Sequence, residues 1–259
     1  MKTSQIFNLN RFGRYASSTL TMRYRQLLLM TGAAAAAIFI FSFLTLINNS
    51  TWRYEQWLQL VIPLTIACGL FYSGTAFPSF RNREKTMSYL MIPASTLEKL
   101  LYEFAERIIA FILIFPVLLN LFGNLAATMV TSIKNYQQIT SNIEHLSIIK
   151  LFQNSPDGSS KVILLGAIAA LLLVFTGSVT FKKYPLVKTT IFSTGVVLAI
   201  AGYFYLIIEK MHLVHPWIEN MGDHLSQNQA LSIFVIMLSI FSLVALCYSY
   251  FKLKEKEIS

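Results

Sequence analysis

Residues 26–47 read QLLLMTGAAAAAIFIFSFLTLI, a run of apolar and small side chains without a single charge. A helix rises ~1.5 Å per residue and the hydrocarbon core of a bilayer is ~30 Å thick, so a crossing needs ~20 apolar residues. A charged side chain at mid-membrane costs ~2.5–3.5 kcal/mol, which makes the absence of charge over the whole run informative. The run therefore predicts a membrane-spanning helix.

Five more uncharged runs of similar length follow along the chain. The complete set is Gln26–Ile47, Trp57–Phe80, Ile108–Ile133, Val162–Phe181, Thr189–Ile208 and Ala230–Phe251. The composition agrees, because 55% of the residues are hydrophobic and only 13% are charged, against about 25% charged in soluble proteins. We expect an all-α integral membrane protein with six transmembrane helices over residues 26–251.

The positive charge is distributed unevenly in this six-helix plan. The formal net charge is +9, and with the N-terminus inside, sixteen of the 21 Lys and Arg residues fall in segments on the cytoplasmic side. Cytoplasmic loops of membrane proteins carry an excess of Lys and Arg. This distribution predicts that both termini are cytoplasmic. Most of the positive charge then serves to set the topology and to contact the lipid membrane.

Several segments outside the spans have apolar residues at helical spacing. Residues 1–25 predict an amphipathic helix on the inner leaflet, and a flexible basic leader is the alternative reading. The outer segments 134–161 and 209–229 predict short amphipathic helices that lie on the outer leaflet or cover a cavity. Residues 252–259 remain as a short cytoplasmic tail.

The connection between the second and third runs, residues 80–107, reads FRNREKTMSYLMIPASTLEKLLYEFAER. A basic cluster leads into the apolar stretch Met87–Ile92, which Pro93 interrupts. Ser95 and Glu98 have the spacing of a capping box, so a new helix is expected to begin at Ser95. Lys99, Glu103 and Arg107 follow at intervals of four residues and predict one self-paired charged stripe. Such a segment suits an element that touches another protein, and an ordinary interfacial helix is the equal alternative.

The chain shows no motif for covalent chemistry. Gly69 and Gly74 have the spacing of phosphate-loop glycines, but Thr75 and Ala76 follow where such a loop has Lys and Ser or Thr. The sequence predicts no catalytic residue, no metal site, no cofactor of its own and no nucleic-acid partner. The absence of Asp, Glu, Lys and Arg from all six runs also argues against a proton relay, a voltage sensor or an ion-coupled transporter.

The basic RNREK cluster at 81–85 and YLMIPASTLEK at 89–99 resemble the cytoplasmic connection after the second helix of bacterial type-2 (exporter) ABC-transporter permeases. The six-helix plan with both termini inside is similar to that family too. The resemblance implies a permease subunit in the bacterial inner membrane. It would pair with a second permease subunit and couple to a separate nucleotide-binding ATPase subunit, which would bind MgATP.

The resemblance also implies roles for residues of the connection. The expected ATPase-coupling surface comprises Arg81, Arg83, Glu84, Lys85, Met87, Tyr89, Leu90 and Met91. The expected cap and inner end of the third helix comprise Pro93, Ser95, Glu98, Lys99, Glu103 and Arg107. A passive channel or a membrane scaffold subunit without ATP coupling is the alternative function.

Overall fold

The computed structural model describes residues 7–49, 51–81, 83–139, 142–148, 150, 159–181, 183–211 and 227–258. Within these residues the chain is mostly helical. The longer elements, in chain order, are helices α1 (Leu9–Ile47), α2 (Tyr54–Gly74), α3 (Arg83–Leu90), α4 (Thr96–Phe104), α5 (Ala110–Tyr136), α6 (Ser159–Thr180), α7 (Pro185–Met211) and α8 (Gln227–Ile258). A 3-10 turn, Pro78–Arg81, precedes α3, and a π-helical turn, Ala105–Ile109, joins α4 to α5. Two-residue strands β1 (Thr51–Trp52) and β2 (Asn142–Ile143) complete the set.

The uncharged runs of the sequence lie wholly or mostly in helices. Four helical stretches in the described part of the chain are long and apolar enough to cross a membrane, which indicates a membrane protein. They are Leu9–Ile47, Glu55–Gly74, Thr96–Tyr136 and Val235–Lys256. Leu165–Thr180 of α6 is a shorter apolar helix, and α7 contains the fifth run.

The chain divides into two compact units. Unit 1 comprises Met1–Tyr72 and Met91–Asn154, and unit 2 comprises Ser73–Leu90 and Ser155–Ser259. In unit 1, α1 packs along α5. The core there includes Ile38 and Leu46 from α1, Trp57 from α2 and Val130 from α5, all fully buried.

The structure has one helix where the sequence divides an amphipathic segment, 1–25, from a span, 26–47. Helix α1 runs unbroken from Leu9 to Ile47, and the Asn8 side chain caps its first turn by accepting from the amides of Asn10 and Arg11. Residues 9–47 contain no proline, and helix-favouring residues across 20–30 leave nothing to interrupt it. A flexible leader is therefore wrong for residues 9–25.

The prediction of an amphipathic helix over 134–161 is wrong for residues 137–139 and 142–147. Helix α5 ends at Tyr136, and β2 then pairs in parallel with β1, in a register that places Thr51 opposite Asn142. Long-range bonds replace helical ones: Trp57 Nε1 donates to the Glu144 carbonyl (2.9 Å), and the Leu146 amide donates to Asn124 Oδ1 (2.7 Å). Leu146 is consequently a buried core residue of unit 1. Residues 151–158 of this segment, and 212–226 of the predicted segment 209–229, lie outside the described residues.

Unit 2 is built on α6, which packs against α7 and α8. Gly177 permits the approach of α7, since a Cβ at this position would overlap Thr189 Oγ1 and lie 2.7 Å from Thr189 Cβ. The predicted tail, 252–259, is helical as far as Ile258, because α8 continues beyond its apolar run. Leu253 in this last part is fully buried.

Candidate functional site

The capping box predicted at the start of the third helix is present. The Glu98 amide donates to Ser95 Oγ (3.3 Å), and the Ser95 amide donates to Glu98 Oε2 (2.9 Å). Pro93 precedes the cap, and a residue before proline disfavours helical backbone. Helix α3 accordingly ends at Leu90 and α4 begins at Thr96.

Glu98 also binds the start of α1, about 90 residues away in sequence. Arg11 approaches its carboxylate with two nitrogens, with Nε 2.8 Å from Oε2 and Nη2 2.8 Å from Oε1. The Asn8 amide donates to the same Oε1 at 2.8 Å. Charge-assisted, two-pronged Arg–carboxylate contacts are among the stronger hydrogen bonds in proteins. Glu98 thus joins the N-terminus of α1 to the N-terminus of α4.

A second group of charges joins the same two helices further along. Arg23 Nη1 lies 2.6 Å from Glu103 Oε1 and 3.5 Å from Glu106 Oε2. Arg107 Nη2 lies 3.3 Å from Glu106 Oε1, and Arg107 Nε lies 3.9 Å from Glu103 Oε2. All four side chains are buried or nearly so. We call Arg23, Glu103, Glu106 and Arg107 the charge cluster.

The structure gives the predicted stripe of Lys99, Glu103 and Arg107 partners outside its own helix. Glu103 and Arg107 do face each other as expected, but the shortest ion pair of Glu103 is with Arg23 of another helix. Lys99 is buried as well, with 1% of its surface exposed. Buried charges need partners because an isolated ion in a low-dielectric interior is very costly. The stripe is therefore an internal contact of unit 1.

Aromatic and sulfur contacts surround the charge cluster. The Tyr15 and Tyr102 rings meet edge to face with centroids 5.3 Å apart. The Arg107 guanidinium lies 4.9 Å from the Tyr72 ring centroid, and its Nη1 is 3.6 Å from the Met30 sulfur. Glu106 and Arg107 belong to the π-helical turn. This irregular turn directs their side chains toward α1 and α2. Such turns occur frequently at functional sites.

An apolar groove of about 530 Å³ lies between α1, α2 and α5. Its walls include Ala33, Ala37, Cys68, Phe71, Ile114 and Leu118. Met30 and Tyr72 also line it, and both contact Arg107. The charge cluster therefore borders one end of the groove, separated from it by these two side chains.

The residues of the expected coupling surface lie on the 3-10 turn, on α3 and just beyond it. Glu84 and Met87 on α3 are exposed, as is Met91, which has 82% of its surface accessible. Tyr89 is buried, with its ring edge to face with Phe80 at 5.4 Å. The structure describes the backbone, without the side chains, of Arg81, Arg83, Lys85 and Leu90.

The 3-10 turn and α3 are held within unit 2 by an aromatic chain. Phe77 packs on Phe175 of α6 (5.4 Å) and on Phe80 (5.6 Å), which in turn contacts Tyr89. From the end of α8, Lys256 places its ammonium 4.4 Å from the Phe80 ring centroid. Phe77 has φ 49°, a left-handed conformation that is uncommon for residues other than glycine.

Sequence reasoning missed several residues that complete these sites. The sequence places Arg11 and Arg23 among the cytoplasmic charges of the N-terminal segment, 1–25, and Lys256 in the short cytoplasmic tail. One signal was available: Glu98, Glu103 and Glu106 place three of the chain's 12 acidic residues within nine positions. That density exceeds what Lys99 and Arg107 can neutralise, so it points to cations elsewhere in the chain.

Comparisons with protein-family models, with curated proteins and with solved structures found no match.

Proposed function

We propose that this chain is the permease subunit of an ATP-driven exporter in a bacterial inner membrane. In this proposal six helices cross the membrane and both termini are cytoplasmic. A separate ATPase subunit binds MgATP and docks on the connection 80–107, and a second permease subunit completes the export path. The chain itself performs no covalent chemistry.

The observation that carries the proposal is the form of α3. This eight-residue helix interrupts the connection between two spans, α2 and the helix that begins at Thr96. It exposes an acidic residue, Glu84, and an apolar one, Met87, about one turn apart. A short loop between two spans has no need of a separate helix. A mixed apolar and charged face on a short helix suits docking into a groove of another protein.

The contacts between α1 and α4, at the C-terminal end of the connection, also support the proposal. The Glu98 contacts and the charge cluster attach α4 to the long helix α1 through buried ion pairs. A displacement imposed on the connection would therefore be passed to both helices, because separating buried charges is costly. Coupling between an ATPase and a transport path requires such a stiff linkage.

The proposed mechanism is mechanical. MgATP binding closes the partner ATPase dimer, which moves the docked connection. Helices α4 and α1 follow as one body, and the two permease subunits rock to expose an amphipathic substrate to the outside. The differential interaction that drives the change is the ATPase's preference for one position of α3, since a ligand shifts a conformational equilibrium only through such a difference.

Co-purification from native membranes tests the proposal. The tagged full chain is expected to bring down a subunit with a phosphate loop, and the complex is expected to hydrolyse MgATP. Reversing the docking charge with Glu84→Lys should lose that subunit while the chain still inserts normally. Glu55→Lys is the matched control, because Glu55 is also an exposed acid in the first turn of a helix.

Two results would count against the proposal. If no nucleotide-binding subunit accompanies the wild-type chain, ATP coupling is excluded, and conductance of the purified chain in bilayers would then favour a passive channel. If Glu84→Lys retains the ATPase as well as Glu55→Lys does, α3 is not the docking surface.

A further inference from the structure

We propose that Lys256 is a positioning residue, which holds the 3-10 turn and α3 in place from the C-terminal end of α8. The inference rests on the proposed function in so far as α3 is the docking surface. It concerns a residue outside the connection, in a segment that the sequence presents as a free tail.

The Lys256 ammonium makes two contacts at once. It lies 4.4 Å from the centroid of the Phe80 ring, within the range of a cation–π interaction. It also donates a hydrogen bond to the carbonyl of Val179 in the last turn of α6. The last carbonyls of a helix lack partners within the helix and carry partial negative charge, so a cation there is stabilising. One side chain thus ties the end of α6 to the turn that precedes α3.

The 3-10 turn, which Lys256 contacts, and α3 depend on their surroundings for their conformation. Phe77 adopts its left-handed φ of 49° while 99% buried, and strained backbone of this kind persists only where its surroundings impose it. Phe80 connects Phe77 to Tyr89 of α3 through ring contacts of 5.6 Å and 5.4 Å. A loss of the contact at Phe80 would therefore reach both the strained residue and α3.

The end of α8 is itself well anchored. Leu253, one turn before Lys256, is fully buried. By contrast, Lys254 and Glu255 are exposed, and Lys252 pairs with Glu255 at 2.7 Å. The helix therefore presents one lysine, Lys256, inward to unit 2 and offers Lys254 as a neighbouring control.

Hydrogen exchange measured by mass spectrometry on the full-length protein tests the inference without needing the ATPase. We expect Lys256→Met to speed amide exchange in residues 77–90 about fivefold, since one cation–π contact and one helix-end contact are lost. Lys256→Arg should restore slow exchange, because arginine keeps the cation and the donor. Lys254→Met should leave exchange in 77–90 at the wild-type rate.

A second variant addresses the same contact if Lys256→Met does not accumulate as folded protein. Phe80→Leu removes the ring and leaves the bond from Lys256 to Val179, and it should also speed exchange in 77–90. Each folded variant is checked by its elution as a single species and by its melting temperature.

Unchanged exchange in both Lys256→Met and Phe80→Leu would overturn the inference. So would equal acceleration in Lys256→Met and Lys256→Arg, because the cation would then not be the holding group. In preparations that retain the ATPase, Lys256→Met should lower its bound amount and Lys256→Arg should restore it. If the wild-type chain brings down no ATPase, the proposed function fails, while the exchange data still decide the role of Lys256.

Discussion

Arg23 and Glu103 lie eighty residues apart in sequence, and their side chains meet at 2.6 Å in the interior of unit 1. Glu103 is fully buried and Arg23 has 12% of its side-chain surface exposed. The pair unites the first long helix with the helix that follows the proposed docking segment, and Glu106 and Arg107 extend it. The contact therefore holds α1 against α4 within unit 1.

We predict that Arg23→Met destabilises the protein by about 3–5 kcal/mol, because the buried Glu103 carboxylate loses its closest cation. Arg25→Met, a change at an exposed position two residues later, should alter stability by less than about 0.5 kcal/mol. Denaturant unfolding in a fixed detergent measures both.

The double variant Arg23→Met with Glu103→Met should be more stable than the sum of the single changes predicts, since Glu106 and Arg107 remain paired. If the loss of stability in the double variant equals the sum of the losses in the two single variants, Arg23 and Glu103 do not interact.

Glu98→Gln should release the beginning of α1 from α4. The neutral amide cannot maintain the two-pronged contact with Arg11, and it weakens the bond from the Asn8 amide. Limited trypsin digestion should then cut at Arg11 and Arg14 faster than in the wild type. Ser95→Ala removes only the cap, at a cost of about 1 kcal/mol, and should leave those sites protected. Equal cleavage in the wild type and Glu98→Gln would contradict the contact.

Lys134 closes the other end of α1. Its ammonium donates to the carbonyl of Leu46 (2.9 Å), in the last turn of α1, and to the carbonyl of Asn49 just beyond the helix. Lys134→Met should lower stability by about 2 kcal/mol, because hydrogen bonds to a charged group are lost at a buried site. Lys150→Met, at an exposed lysine, is the control, and thermal melting is the measurement. Equal melting temperatures for the two variants would contradict the cap.

Gly177→Ala should destabilise unit 2 by about 1–3 kcal/mol, because the added methyl group overlaps the Thr189 side chain of α7. Gly166→Ala on the same helix is the control. Nothing lies within 4 Å of a Cβ built at Gly166, so alanine should be neutral or mildly stabilising there. Melting temperatures in detergent report both. A Gly177→Ala protein as stable as Gly166→Ala would show that α6 and α7 do not approach closely at this point.

The helices of this fold were predictable because their signal is local. An uncharged run such as 26–47 identifies a helix by composition alone, and Ser95 with Glu98 identifies a cap by spacing. Contacts between distant segments were not predictable in the same way. The apolar periodicity of 134–161 resembles that of an amphipathic helix, but at residues 142–147 pairing with β1 and the bonds of Asn124 to Leu146 override it. Such tertiary partners routinely outweigh local propensity.

The same difference between local signals and long-range contacts decides which residues of the candidate site were predictable. The sequence identified Glu98 by its capping-box spacing from Ser95, and Glu103 and Arg107 because charged residues four apart on a helix are conspicuous. It could not identify Arg11 and Arg23 as their partners, since that pairing depends on how α1 lies against α4. Nor could it show that Tyr89 is buried while Met87 is exposed, because α3 is too short for its periodicity to define a face.

Photo-crosslinking from position 87 asks whether α3 docks on a nucleotide-binding subunit. A photoreactive amino acid replaces the exposed Met87 in the full chain, and Tyr136, 91% exposed at the end of α5, serves as the control position. In native membranes, position 87 should crosslink to a single subunit that carries a phosphate loop, and added MgATP should change the yield. Position 136 should give no such product. Absence of a nucleotide-binding subunit from the products at position 87, or equal capture at both positions, would show that α3 does not dock on an ATPase.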